Sequence, residues 1–183
     1  MNGPSGSETG NGKYPGLYRA TVTLNVDPEL RGRLLLTIPD VLALVPSTWA
    51  EPCTALAGPT GPGMGVYMVP PIGAGVWVMF EHGNVDYPVW LGCRFDQSSN
   101  VPPLALAGNP ADPNIVIQTL LQHTLMLSDL PPTPVTGGIV LKSTTGATIV
   151  VNDSGIYISN GKGATITMVG PTIDMNLGAL TIT

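Results

Sequence analysis

Charge is what this sequence has least of. Asp, Glu, Lys and Arg make up 10% of its 183 residues, against about a quarter in ordinary soluble domains. The balance is acidic, with a formal net charge of -5. Of the basic residues, only Arg31 and Arg33 stand close together. That speaks against a nucleic-acid partner, because neutralising phosphates takes clustered Lys and Arg. A long apolar run is also missing. A membrane-spanning helix needs about 18 or more apolar residues, and the longest near-apolar stretch, Gly73–Phe80, is short and broken by glycines. Met1–Lys13 has neither a basic start nor an apolar core, so no signal peptide is expected and assembly in the cytoplasm is. The two cysteines, Cys53 and Cys93, are too few for a disulfide framework. They are expected as free, partly buried thiols, a bridge between them being the alternative. Disorder fails as a class, because a disordered chain needs low hydrophobicity and high charge, and the mean hydropathy here is +0.27. A surface so poor in charge is expected to be covered in an obligate assembly.

What is abundant is glycine (23) and proline (19), punctuating short alternating runs. Leu17–Asn25 places Tyr18, Ala20, Val22 and Leu24 on one face; Arg33–Ile38, Val76–Glu81 and Val89–Phe95 follow. Strands at this spacing, divided by turn residues, predict a small antiparallel barrel or sandwich, with Ala43–Gly65 as long loops. The expected domains are a flexible tail (1–15), a barrel (16–100), a proline-rich linker (101–113) and a repetitive segment (114–183).

That last segment repeats itself. Asn114–Asp129 aligns with Gly138–Asp153, so that Ile115 matches Ile139, Thr124 matches Thr148, and Leu125 and Leu127 match Ile149 and Val151. Gly155–Val169 lies under the second copy, Gly155 on Gly138 and Gly163 on Gly146, and Thr172–Thr183 is a shortened fourth. Within the copies, apolar residues recur at i, i+2: Ile139 and Leu141, Ile149 and Val151, Ile156 and Ile158, Ile166 and Met168, Ile173 and Met175, Leu180 and Ile182. Period two with one apolar face means strands that bury one side only. Three copies about a common axis would bury these residues and leave a Thr/Ser/Asn exterior. Eight strand segments at about 4.7 Å would make a rod of roughly 35–40 Å. A single-chain solenoid or sandwich is the alternative, but solenoid coils usually have three strands and need caps.

No constellation of side chains looks catalytic. Glu81 and His82 fall on opposite faces of a strand, and no Ser or Cys nucleophile has a partner at a defining spacing. His82 is expected to support the Gly83–Pro88 turn. His123 stands where Ala147 and Ala164 stand in the other repeats and is expected to be exposed or interfacial. No metal site and no cofactor is expected. Trp77 and Trp90 are read as packing residues and not as a stacking platform. The Gly61–Gly65 stretch lacks the Lys-Ser/Thr of a phosphate loop. Asp129 and Asp153 are expected to cap turns.

The segment Val69–Phe95, VPPIGAGVWVMFEHGNVDYPVWLGCRF, resembles the oligomer-binding-fold domain of phage baseplate spike proteins and VgrG-type proteins of type VI secretion. Pro71, Gly73, Val76, Trp77, Val78, Phe80, Glu81, His82, Gly83, Asp86, Pro88, Val89, Trp90, Leu91 and Gly92 carry the family pattern. Tyr18–Val22 and Gly32–Leu34 fit its first two strands, and the repeats resemble its trimeric β-helix. The resemblance implies an all-β chain: an N-terminal OB-fold barrel followed by a C-terminal intertwined trimeric β-helix. It further implies a non-enzymatic central spike in a contractile injection particle, joining hub to tip and helping pierce the target envelope. The implied partners are two further copies, baseplate hub and inner tube proteins, and a PAAR-type tip protein on Thr181, Ile182 and Thr183, with the envelope met transiently. The hub region, muramidase domain and His-x-His tip of larger or other relatives are missing. A trimeric module whose barrel binds oligosaccharide or nucleic acid, and an enzyme acting on cell wall, are the rival readings.

Overall fold

The computed structural model describes residues 13–58 and 61–182. The chain divides into two compact units, with the boundary between Asp96 and Gln97. It is almost all β.

In the first unit, β1 (Tyr18–Leu24), β2 (Leu35–Thr37), β3 (Glu51–Pro52), β4 (Gly75–Phe80) and β5 (Pro88–Arg94) form one sheet in the order β2-β1-β4-β5-β3. Bridges from Leu34 to Ala50 and from Thr37 to Pro46 join its two edges, so the sheet curls into a barrel. Alternation along the strands turns Ala20, Val22, Leu34, Leu36, Ile38, Val76, Val78, Phe80 and Trp90 inward as one core. The Trp90 indole N–H finds its acceptor in the Gly32 carbonyl at 3.1 Å, as a buried tryptophan requires. Strand β3 lies inside the stretch expected as loop. It was hidden because Pro52 cannot donate to a ladder; the parallel pairing with β5 continues through Cys53 N–H to the Trp90 carbonyl, 2.9 Å.

The β1–β2 connection is organised by one carboxylate. Asp27 is buried and accepts hydrogen bonds from the backbone of Glu29 (3.0 Å), Arg31 (2.9 Å) and Arg33 (3.2 Å), and from the Arg33 guanidinium at 3.0 and 2.7 Å. The Arg33 side chain, opposed by burial and helped by those backbone N–H groups, holds its pKa far below the usual carboxylate range.

The second unit is a single antiparallel meander. Its strands are β6 (Ile115–Gln118), β7 (Thr124–Thr133), β8 (Thr136–Lys142), β9 (Thr148–Asn152), β10 (Gly155–Ser159), β11 (Thr165–Val169), β12 (Thr172–Met175) and β13 (Leu180–Ile182). Each pairs with its neighbours in the chain, giving an eight-stranded sheet. The repeat alignment is visible in its turns. The same bond closes three of them: Thr119 N–H to the His123 carbonyl, Ser143 to Ala147 and Asn160 to Ala164, at 3.0, 2.8 and 3.1 Å.

Further expectations need correcting. The turn caps come from Ser128, bonded by Leu130 N–H at 3.3 Å, and Asn152, bonded by Ser154 N–H at 3.0 Å. Asp129 and Asp153 stand one position too far along and point outward, exposed. The face turned away from the aliphatic stripe is not uniformly Thr/Ser/Asn. Met126, Val140 and Val150 form a small buried cluster there, covered by Leu104, Val116 and Tyr157. Last, Cys53 and Cys93 are free as expected, but both are exposed.

Candidate functional site: an aliphatic face on the C-terminal sheet

The in-register meander converts the i, i+2 alternation into two ladders. Directly paired residues share a face, so each ladder can be followed strand to strand. The first runs Ile117, Leu125, Leu141, Ile149, Ile158, Ile166, Met175, Leu180. The second runs Ile115, Leu127, Ile139, Val151, Ile156, Met168, Ile173, Ile182. Every one of the eight strands supplies two residues, and no polar side chain interrupts either ladder. Eight strands at about 4.7 Å give a stripe roughly 35 Å long.

All twelve residues expected as trimer core therefore lie together on this face. Ile115, Ile117, Leu125 and Leu127 extend it to β6 and β7. Ile115, Leu125 and Leu127 align with later repeats in the sequence, but the expected core did not include these four. Ile139, Leu141, Ile149 and Val151 are exposed, Ile149 at 40%, while Val150 on the other face of β9 is at 0%. A contiguous apolar stripe of this length, left open, marks an interaction surface. Along the first ladder it sinks into an open trough of about 660 Å³ rimmed by the turns carrying His123, Ser143 and Asn160.

Of the expected tip-partner residues, Thr181 pairs with Asp174, and Ile182 pairs with Ile173 at the β13 edge. Thr183 lies outside the described residues, as do residues 1–12 of the expected tail. Lys13 and Tyr14, which end that tail, lie against Gly83, the Tyr14 N–H donating to its carbonyl at 2.8 Å.

The remaining candidates are scattered. Glu81 and His82 sit exposed on the turn into Gly83, where His82 adopts a left-handed φ of 53°. His123 is exposed on a turn of the second unit, within 3.5 Å of the Thr144 hydroxyl. Trp90 points into the barrel, whereas Trp77 lies on its outer surface beside Arg19 and Arg94, 5.7 and 5.9 Å from its ring centre. The two rings thus form no shared platform. Among the described residues, no group of three or more His, Cys, Asp or Glu side chains is placed to hold a metal ion, and no helix is long and apolar enough to cross a membrane.

Comparison with known families matches both units. Residues 18–95 match the type VI secretion system/phage-baseplate injector OB domain. Residues 114–181 match the phage baseplate V C-terminal trimerisation domain. No curated protein matches the chain.

Proposed function

The chain belongs to the VgrG-type spike family of phage baseplates and type VI secretion, and from that premise we propose that three copies form the central spike of an injection particle. Families of this kind are structural baseplate components, and the reading here is mechanical and not catalytic. Three sheets face one another about a common axis, each closing its two ladders against those of its neighbours. The observation that carries the reading is the unbroken aliphatic face over residues 115–182, exposed on β6–β9 and β13 and half-buried on β10–β12 in the single chain. Hydrophobic burial is roughly proportional to the area covered, so a face this continuous favours association along its whole length.

In this arrangement the barrel sits on the hub and inner tube, and the β13 edge with Thr181, Ile182 and Thr183 receives a PAAR-type tip protein. Contraction drives the particle forward and the shaft passes the force to the target envelope. Pulling one chain out of such a shaft means breaking contacts along its length at once, which suits a part loaded mechanically. Assembly takes place in the cytoplasm, within the particle.

The test is the native mass of the chain, with and without residues 114–183. The full chain is expected at three times its 19.0 kDa, threefold closure being a common cyclic symmetry. The shortened chain is expected as a monomer. A full-length monomer would remove the shaft and the piercing mechanism together.

A further inference from the structure

The two ends of the C-terminal sheet differ in what one chain can hold together unaided. Its buried side chains, among them Thr124, Met126, Ser128, Val140 and Val150, all lie at or before Val150. From Val151 to Ile182, no residue of described burial is buried. The aliphatic ladders nevertheless run the full width of the sheet, each strand of β10–β13 giving them two side chains as each of β6–β9 does. What β11–β13 lack is a second layer, and on β10 only Tyr157 reaches the Met126–Val140–Val150 cluster. On β7–β9 the opposite face is apolar and covered by Leu104, whose carbonyl is held at 2.7 Å by the Asn114 amide. On β11 and β12 the equivalent positions are Thr167 and Asp174, paired with each other.

Ordering backbone costs about 1–2 kcal/mol per residue, and a few strands without a core do not recover it in water. The turn into β13 adds to the deficit. Asn176, Leu177 and Gly178 have successive φ values of 51°, 55° and 95°, and this left-handed region is unfavourable for a leucine. Local bonds offset part of this: Thr165 N–H to the Asn176 side chain, Asn176 N–H to the Thr165 carbonyl and Gly178 N–H to the Asp174 carboxylate, each at 3.0 Å.

We infer that β6–β9, clasped by Leu104, fold within the single chain, and that β10–β13 become ordered only when three copies bring their aliphatic faces together. The shaft then closes in one direction, from β6 toward β13. The inference rests on the trimer reading above. The occupant of the open face is a further copy of this chain, because the ladders run without a break through the matched trimerisation domain. The consequence is an assembly check. The β13 edge proposed to receive the tip protein is absent from a lone chain and present on a completed trimer, so free chains do not compete for tips.

Hydrogen exchange by mass spectrometry on the full chain tests this, comparing wild type with Leu127→Asp/Ile139→Asp. Both residues are exposed in the single chain, at 43% and 47%, so the change leaves the Met126–Val140–Val150 cluster intact. The double variant is expected to be monomeric by native mass. Its amides over 124–152 should stay protected, while those over 155–182 exchange roughly a hundredfold or more faster than in the wild-type trimer. A single Ile173→Asp change at the far end should leave a trimer that frays only over β11–β13. The inference is overturned if the monomer protects 155–182 as the trimer does, or loses protection over 124–152 as well. It is equally overturned if the double variant stays trimeric or Ile173→Asp dissociates the assembly. A wild type that is itself monomeric overturns the trimer reading and this inference with it; a trimeric wild type with the wrong exchange pattern overturns this inference alone.

Discussion

At the scale of single residues, one of the chain's rare charges organises the backbone around it. Asp27 collects three backbone N–H groups and the Arg33 guanidinium, and Arg33 in turn lies 5.4 Å from the Trp49 ring centre. The ionised carboxylate is what satisfies those donors, so its protonation should loosen the β1–β2 connection. Its folded-state pKa is lowered, chiefly by the Arg33 hydrogen bonds. Its contribution to stability is therefore complete above its unfolded value, about 3.9, and is lost as pH falls from there toward the folded value. Thermal melts of the wild type and Asp27→Asn between about pH 6 and 2 check this. The variant is expected to melt lower at pH 6, because an amide cannot accept from all these donors, and the gap should shrink as pH drops. A gap that stays constant to pH 2 would show that Asp27 is not the titrating group. Nothing in the sequence pointed to this residue. Asp27 sits among ordinary turn residues, and its role depends on a chain reversal that brings Arg33 back against it.

At the scale of elements, the repeat foretold more than strand positions. Gly138 aligned with Gly155 and Gly146 with Gly163, and the two pairs differ in the same way in space. A Cβ on Gly138 would collide with the Val151 carbonyl and come within 2.7 Å of the Asn152 Cβ; one on Gly155 would lie 2.5 Å from the Met168 carbonyl. A Cβ on Gly146 or Gly163 meets nothing within 4 Å. Strand-entry glycines are thus needed for space and turn glycines for conformation alone, since both kinds have positive φ. Gly146→Ala should cost about 1 kcal/mol, the price of a left-handed alanine. Gly138→Ala should cost more than ~2 kcal/mol, because it also displaces Asn152, whose amide ties down the Thr133 and Thr136 carbonyls at 2.8 and 2.9 Å. Urea unfolding of the two variants separates these cases, and equal costs would mean that the entry glycine is not sterically required. The caps were less legible. Asp and Asn are interchangeable as turn formers by composition, and only the pleat decides that Asn152 faces the hairpin while Asp153 faces solvent.

At the scale of the molecule, the low charge that opened the sequence acquires a reason. The alternation alone identified one apolar face and the need for partners to cover it. The second apolar face on β7–β9 was invisible, since Val140 and Val150 flanked by aliphatic neighbours look the same whether a position faces the ladders or the linker. Barrel closure was hidden too, because it runs through Pro46, Ala50 and Pro52, which carry no strand signal. What the structure adds is that the contact proposed here is almost purely apolar. Neither ladder contains an ionisable group, so screening has nothing in the contact to act on. Salt at about 1 M shortens the Debye length to ~3 Å and weakens assemblies held by charge pairs, whereas apolar burial is weakened by urea or guanidinium. Native mass should therefore stay trimeric from low salt to about 1 M NaCl, while urea dissociates the assembly together with loss of the C-terminal sheet. Dissociation by salt alone would mean that charged groups outside the ladders, such as Lys142 and Lys162 at the turns, hold the copies together, and that the aliphatic face is covered by something other than its own kind.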